Sequence, residues 1–349
     1  MHIYIHIPFC TKKCPYCAFG SYDKSFDMVS DYFKALCFEI KNYKFKEIST
    51  VFIGGGTPSS INSRYYEPIF EYLKPYIGKK TEITTEANPN SATFNWLNSM
   101  RKMRVNRVSF GTQSFDEKKL KFLGRNHSAN DTKMAVFNAK KAGFKNINLD
   151  IIYGTKLDSK KMLEFELQNL LNLEINHISA YSLILEKNTS FENKPQFQKD
   201  SIVLAKFLFK RLNEMGFKQY EISNFGEICK HNLAYWKLEN YVGFGAYAVG
   251  FNKNKRLYSP KDLIKYIKNP LQKEIENLDK NDLKIEHIFL GLRSILGVDS
   301  QILNENELKK AKILEKENKL SYKNGKFYNT NFLLADEIAL FIYDDFTKN

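Results

Sequence analysis

The chain has 349 residues, 43% of them hydrophobic, and a formal net charge of +14. That length suits one large unit plus a smaller one; no apolar run is long enough to span a bilayer, and the opening MHIYIHIPFC has neither a cationic leader nor a small-residue cleavage site. A reduced, cytoplasmic setting is expected, with a peripheral place at the inner membrane left open, and there five cysteines, three of them between positions 10 and 17, read as metal binding and not as a disulfide scaffold.

In chain order, β-rich apolar runs alternate with helical patterns. His2–Phe9 reads as a strand ending on the cysteine loop, and Asp27–Lys46 as a helix with Phe33, Leu36, Cys37 and Ile40 on one face. Thr50–Ile53 is a strand running into Gly54-Gly55-Gly56-Thr57-Pro58, followed by a helix at Glu67–Ile77 and a strand at Glu82–Glu86 that stops at Asn88-Pro89. Thr93–Met103 is helical, Arg107–Phe110 a strand leading to Gly111-Thr112-Gln113, and Asn130–Ala142 a helix closed by Gly143. Ile147–Ile152 is a strand, Lys160–Leu173 a helix, His177–Leu185 a strand and Ile202–Met215 a helix stopped by Gly216. These strands read as nearly continuous in Ile, Val and Phe, as for a parallel sheet covered on both faces. Six units predict an α/β fold with an open, partial (β/α)6 TIM-like barrel over residues 1–216. Its site lies at the C-terminal strand ends, where Glu86, Gln113 and Asp150 fall.

Residues 217–285 are less regular and read as an extension of the barrel, with Gly243-Phe-Gly245 in a loop. Residues 286–349 read as helix, helix, hairpin, helix: Ile288–Leu296, Glu305–Asn318, Leu320–Tyr328 around an Asn324-Gly325 turn, and Ala335–Asp345. That order is similar to a small α+β winged-helix domain. The basic excess is mostly scattered lysine, its densest stretch at Lys253–Lys268 is broken by Tyr and Pro, and the helix at Glu305–Asn318 mixes Glu with Lys. Nucleic acid is not an expected partner.

Cys10-Thr-Lys-Lys-Cys14-Pro-Tyr-Cys17 carries the chemistry. Three thiolates in one tight loop hold three corners of a [4Fe–4S] cubane and leave its fourth iron open. Zinc is the competing reading, but a closed zinc site needs a fourth ligand, and His2 and His6 precede the loop at poor spacing.

This cysteine loop after a first strand, with a glycine-rich loop after the second, resembles the radical-SAM superfamily, and HIPFC-x3-C-x-YC its coproporphyrinogen-oxidase branch. The resemblance runs over nearly the whole chain, through GGGTP, Glu86, GTQSF, NxDxIYG and a YSL strand. It implies a cluster on Cys10, Cys14 and Cys17 whose open iron chelates S-adenosylmethionine (SAM). Gly55, Gly56 and Thr57 would line the SAM site, with glycine allowing close backbone approach, and Glu86 would accept bonds from ribose hydroxyls or the ammonium. Tyr4, Tyr16, Cys17 and Val249 match contacts to that SAM, whereas Gln113, Arg125, Asp150 and Ile184 match contacts to a second SAM in the decarboxylating branch. Arg125 is the residue able to clamp a carboxylate bidentately. Tyr247 stands where the family usually has glycine.

Two departures argue against a coproporphyrinogen III decarboxylase, which remains the alternative enzyme: Phe19 replaces a fourth cysteine, and only nine residues precede Cys10. Cys229-Lys-His231-Asn232-Leu-Ala-Tyr235-Trp236 matches the C-x-HN-x-x-YW segment of HemW-type haem chaperones. That resemblance implies a protein that binds cluster, SAM and haem and passes haem to respiratory or other haem proteins, with His231 as candidate iron ligand and a thiolate and two aromatic rings close by. Whether SAM is cleaved, and whether the chain forms a homodimer, stays open.

Overall fold

A computed structural model describes residues 1–199 and 202–343. The repeating part comprises β1 (His2–Ile7), α1 (Val29–Lys41), β2 (Ile48–Gly55), α2 (Glu67–Leu73), β3 (Ile77–Ala87), α3 (Phe94–Lys102), β4 (Arg107–Gln113), α4 (Glu117–Phe122), α5 (Ala129–Lys141), β5 (Asn146–Tyr153), α6 (Lys160–Leu171), β6 (His177–Ser182) and α7 (Ile202–Glu214). Strands β1 to β6 pair in sequence order, all parallel. The segment that follows adds β7 (Asn224–Gly226), α8 (Lys230–Trp236), β8 (Tyr241–Phe244), β9 (Val249–Asn252), β10 (Lys255–Tyr258), α9 (Leu263–Lys268) and β11 (Glu274–Asn277). It does not form a separate layer. β7 pairs antiparallel with β6, β8 pairs parallel with β1, and β9 to β11 continue outward, giving one 11-stranded sheet with β7 and β11 at its open ends.

Residue chemistry explains how this sheet makes a site. Ile3, Ile5 and Ile7 of β1, Val51 and Ile53 of β2, Val108 and Phe110 of β4, and Ile147 and Leu149 of β5 are buried in the main core. Their alternates are polar: Glu86, Arg107, Ser109, Asn148 and Asp150 face a cleft inside the curved sheet. The strands are therefore apolar on one face and polar on the other, at the period of two that strand geometry imposes. This corrects the expectation of continuous apolar strands.

The last segment comprises α10 (Lys280–Leu292), β12 (Val298–Asp299), α11 (Glu305–Lys316), β13 (Leu320–Lys323), β14 (Lys326–Asn329) and α12 (Ala335–Tyr343). Its three strands form their own sheet, and Ile288, Leu292, Leu314, Phe327 and Ile338 close a second core. The helix expected at Ile288–Leu296 instead starts at Lys280, where Asp279 caps the backbone of Asp282 and Asp282 returns the bond, and it ends at Leu292. Helix α4 was not expected. Asp344 and Asp345, expected in the last helix, lie outside the described residues. Among the described residues no helix is long and apolar enough to cross a membrane.

Candidate functional site

Cys10, Cys14 and Cys17 occupy the loop between β1 and α1, at the C-terminal end of the sheet. The loop is pinned by backbone bonds: Cys10 N–H donates to Tyr22 O (3.0 Å), Tyr22 N–H to Pro8 O (2.7 Å) and Cys17 N–H to Cys14 O (3.1 Å). All three thiols are half-buried and line a cleft of about 400 Å³. Thr57 Oγ1 donates to Cys10 Sγ at 3.3 Å, and Arg125 Nη1 donates to Cys14 Sγ at 3.4 Å. Burial holds the Cys10 and Cys17 thiols above their ordinary value, and the Thr57 hydroxyl opposes that shift at Cys10. Donors and a guanidinium aimed at half-buried sulfurs suit an anionic iron–sulfur cluster. Among the described residues no three Cys, His, Asp or Glu side chains close on a single ion, as the zinc alternative needs; the thiolates of a cubane bind separate irons and stand further apart.

The glycines do something different from what the sequence implied. A Cβ on Gly56 would lie 2.6 Å from Phe9 O and 2.9 Å from Ile7 O, and one on Gly55 (φ +112°) would strike the His6 ring. Gly56 N–H donates to Ile7 O (2.8 Å) and Thr57 N–H to Phe9 O (2.7 Å). The glycine-rich turn is thus seated against β1 and the root of the cysteine loop. Gly55 and Gly56 still border the cleft, and Glu86 accepts from Gly55 N–H at 3.1 Å. Enclosed by the cleft walls, the Glu86 carboxyl is pushed up to about 8, first by desolvation and then by nearby Asp150. Asp150 is itself raised by burial, against hydrogen bonds from Asn148 (2.7 Å) and Ser109 (3.4 Å).

The remaining expected residues divide between those in the cleft and those outside it. Tyr16, Gln113, Arg125 and Ile184 line the cleft with the cysteines, and Phe19 (66% exposed) and Ile184 (61% exposed) stand at its rim. Gln113 holds φ +64° where the β4–β5 register shifts, which turns it toward the cleft. The Arg125 fork is already engaged: besides Cys14, Nη2 donates to Asn88 Oδ1 and Gly111 O, both at 2.7 Å. Its geometry braces the cysteine loop and leaves no free bidentate edge, contrary to the expected carboxylate clamp. Tyr4 and Val249 do not line the cleft. The Tyr4 hydroxyl meets His6 Nδ1 (2.9 Å), and Val249 packs its backbone against Gly243. Tyr247 adopts φ +65°, a glycine-like conformation, and its ring fills the space above Gly20 and beside His6.

His231 is corrected more sharply. It is 0% exposed. Its Nδ1 meets Thr50 Oγ1 (2.6 Å), its Nε2 meets Tyr235 OH (2.8 Å), and its ring stacks on Phe52 at 5.2 Å. Both nitrogens are used, and burial lowers its protonation to about 3, so this arrangement offers iron no lone pair. Cys229, pushed up to about 11 by burial, is a thiol and not the expected thiolate. The neighbouring Asn232, not singled out beforehand, is the member of this segment that reaches the cleft. Arg107, Ser109, Asn148 and Ser179 were also missed; the alternation within their strands was the available signal.

An open β/α sheet with a three-cysteine loop after its first strand and a glycine turn after its second defines a radical-SAM protein, and residues 4–165 match the model described as the Radical SAM superfamily. The fold is shared with the coproporphyrinogen III oxidase HemN of Escherichia coli, at a TM-score of 0.82 and 18% identity over 98% of this chain and 89% of that one. Proteins named "Heme chaperone HemW" from Bacillus subtilis (33% identical; 85% of this chain, 84% of theirs) and Escherichia coli (34%; 72% and 70%) are similar along most of the sequence. The chain belongs to the HemW heme-chaperone family of radical-SAM proteins.

Proposed function

We propose that this protein is a haem chaperone that holds a [4Fe–4S] cluster on Cys10, Cys14 and Cys17, binds SAM beside it, and takes haem as cargo for delivery to haem proteins, respiratory ones included, in the cytoplasm. The observation that carries the proposal is the identity of about a third, along most of the chain, to relatives named heme chaperones. The cleft supports it: three thiols at one end, apolar Phe19 and Ile184 at the rim and a polar floor make room for an amphipathic ligand.

When bound, the cluster and SAM supply one-electron chemistry. The chain's own groups act around them. Thr57 and Arg125 hold the cysteine loop and stabilise negative sulfur. Glu86 and Asp150 present acceptors or protons to cofactor hydroxyls and ammonium. Phe19 and Ile184 offer the flat apolar contact that a porphyrin ring needs. A decarboxylase sharing this fold is the competing reading, and haem ligation by His231 is not part of the proposal.

Anaerobic reconstitution of the full chain with iron and sulfide tests it. Cluster absorbance together with stoichiometric haem uptake, followed by transfer to an apo-haem protein, is the expected result. Robust conversion of coproporphyrinogen III to protoporphyrinogen IX would replace this function with the enzymatic one.

A further inference from the structure

Arg107 opens β4 at the floor of the cleft. It is 4% exposed, yet no hydrogen bond or ion pair with another described residue engages its guanidinium. The nearby carboxylates are satisfied by other donors. Glu82 accepts the N–H groups of Lys230 and His231, both at 3.0 Å, and Asp150 is held by Asn148 and Ser109. The contrast with Arg125, whose fork is committed to Cys14, Asn88 and Gly111, is informative. Of the two arginines lining the cleft, one braces the protein through Nη1 and Nη2 and the other makes no hydrogen bond to its described residues. Burial opposes its charge and nearby Cys229, Glu82 and Asp150 favour it, but none of them supplies the hydrogen bonds that an anion bound in the cleft would accept.

We propose that Arg107 is the seat for a ligand carboxylate at the floor of the cleft. Its fork matches carboxylate geometry, and the Ser109 and Ser179 hydroxyls lining the same cleft supply further polar contacts. Gly111, which Arg125 ties to Cys14, lies four residues further along β4, about 13 Å at strand rise. A ligand that bridges the two ends of the cleft is therefore on the order of 10 Å long. Among the ligands of the proposed function, haem carries free carboxylates on its propionates, whereas the methionyl carboxylate of SAM is the group that the open iron would chelate. The inference rests on that function, and its test uses SAM as the control for haem.

The measurement uses the anaerobically reconstituted full chain and its Arg107→Met and Arg107→Lys variants. Affinities are determined for haem against haem dimethyl ester, and for SAM against decarboxylated SAM. Each acid-to-neutral ratio is internal to one variant, so modest loss of folded protein cancels. The wild type is expected to favour haem over its dimethyl ester by about tenfold, the worth of a charge-assisted bond, and to favour SAM over decarboxylated SAM through the cluster iron. Arg107→Met should abolish the haem preference and Arg107→Lys should retain part of it, with the SAM ratio unchanged; a response confined to the SAM pair would overturn the assignment to a haem propionate. Unchanged ratios in both pairs, with wild-type binding intact, overturn the Arg107 assignment alone. Wild-type protein that binds none of the four overturns the assignment and the haem-chaperone function together.

Discussion

Glu86 and His231 show how burial sets the properties of single residues here. The Glu86 carboxyl rises from 4.5 to about 8 because the cleft walls strip it of water and Asp150 adds a like charge. The folded state then binds the proton more tightly than the unfolded chain, so this stabilising contribution is complete below the unfolded value and is lost as pH rises through 8. Glu86→Gln, which cannot ionise, should gain on the wild type between pH 5 and pH 9, by about 2 kcal/mol once discounted for cleft water. Urea unfolding at several pH values measures this, and parallel stability curves would refute it. His231→Ala removes a ring bonded at both nitrogens and strands the Tyr235 hydroxyl, while Thr50 keeps its bond to His2. A loss of about 2–4 kcal/mol is expected, with the Soret band of haem bound to the still-folded fraction unchanged. A displaced Soret band at full folding would restore His231 as a ligand.

Among elements, the six parallel strands were legible because Ile, Val and Phe recur on their outer faces, and Glu86, Gln113 and Asp150 could be placed at strand ends for the same reason. β7 to β11 were not legible. Each has only three or four residues, too few for a period to show, and β8, which joins β9 to β11 to the sheet, is defined by pairing with β1, more than two hundred residues earlier. The site was readable in its cysteines and less so in its floor, because Arg107, Ser109 and Asn148 look like interruptions of an apolar run until the alternate face is seen as a cleft wall. The role of the glycine turn could not be read from sequence, since it depends on the carbonyls of Ile7 and Phe9. Gly56→Ala should force the cysteine loop away from the turn, cost several kcal/mol and cut reconstituted cluster content by more than about half. Gly216→Ala is the comparison: φ is +92°, with nothing within 4 Å of the new Cβ. It should cost only about 1 kcal/mol and leave cluster content unchanged. Equal cluster loss in both variants would mean that steric support of the loop is not what Gly56 provides.

At the scale of the molecule, the cysteine loop depends on a segment more than two hundred residues away. Glu39 of α1, 3% exposed, accepts from Gly245 N–H (2.9 Å) and Tyr266 OH (2.6 Å) and pairs with Lys273. These bonds fix the β8–β9 loop behind β1, where Gly245 (φ +100°) sits too close to His6 O for any side chain. His6 in turn bonds Gly20 O at 2.7 Å, just beyond the third cysteine. Glu39→Gln keeps the shape but leaves the half-buried Lys273 without its counterion, which should cost about 1–3 kcal/mol. Because α10 to α12 close on a separate core, the damage should be regional. Native-state hydrogen exchange should show lost protection in β8, β9 and the 10–22 loop, with α11 and α12 amides unaffected. A uniform loss that reached α12 would show instead that the two cores unfold as one unit and that Glu39 stabilises both.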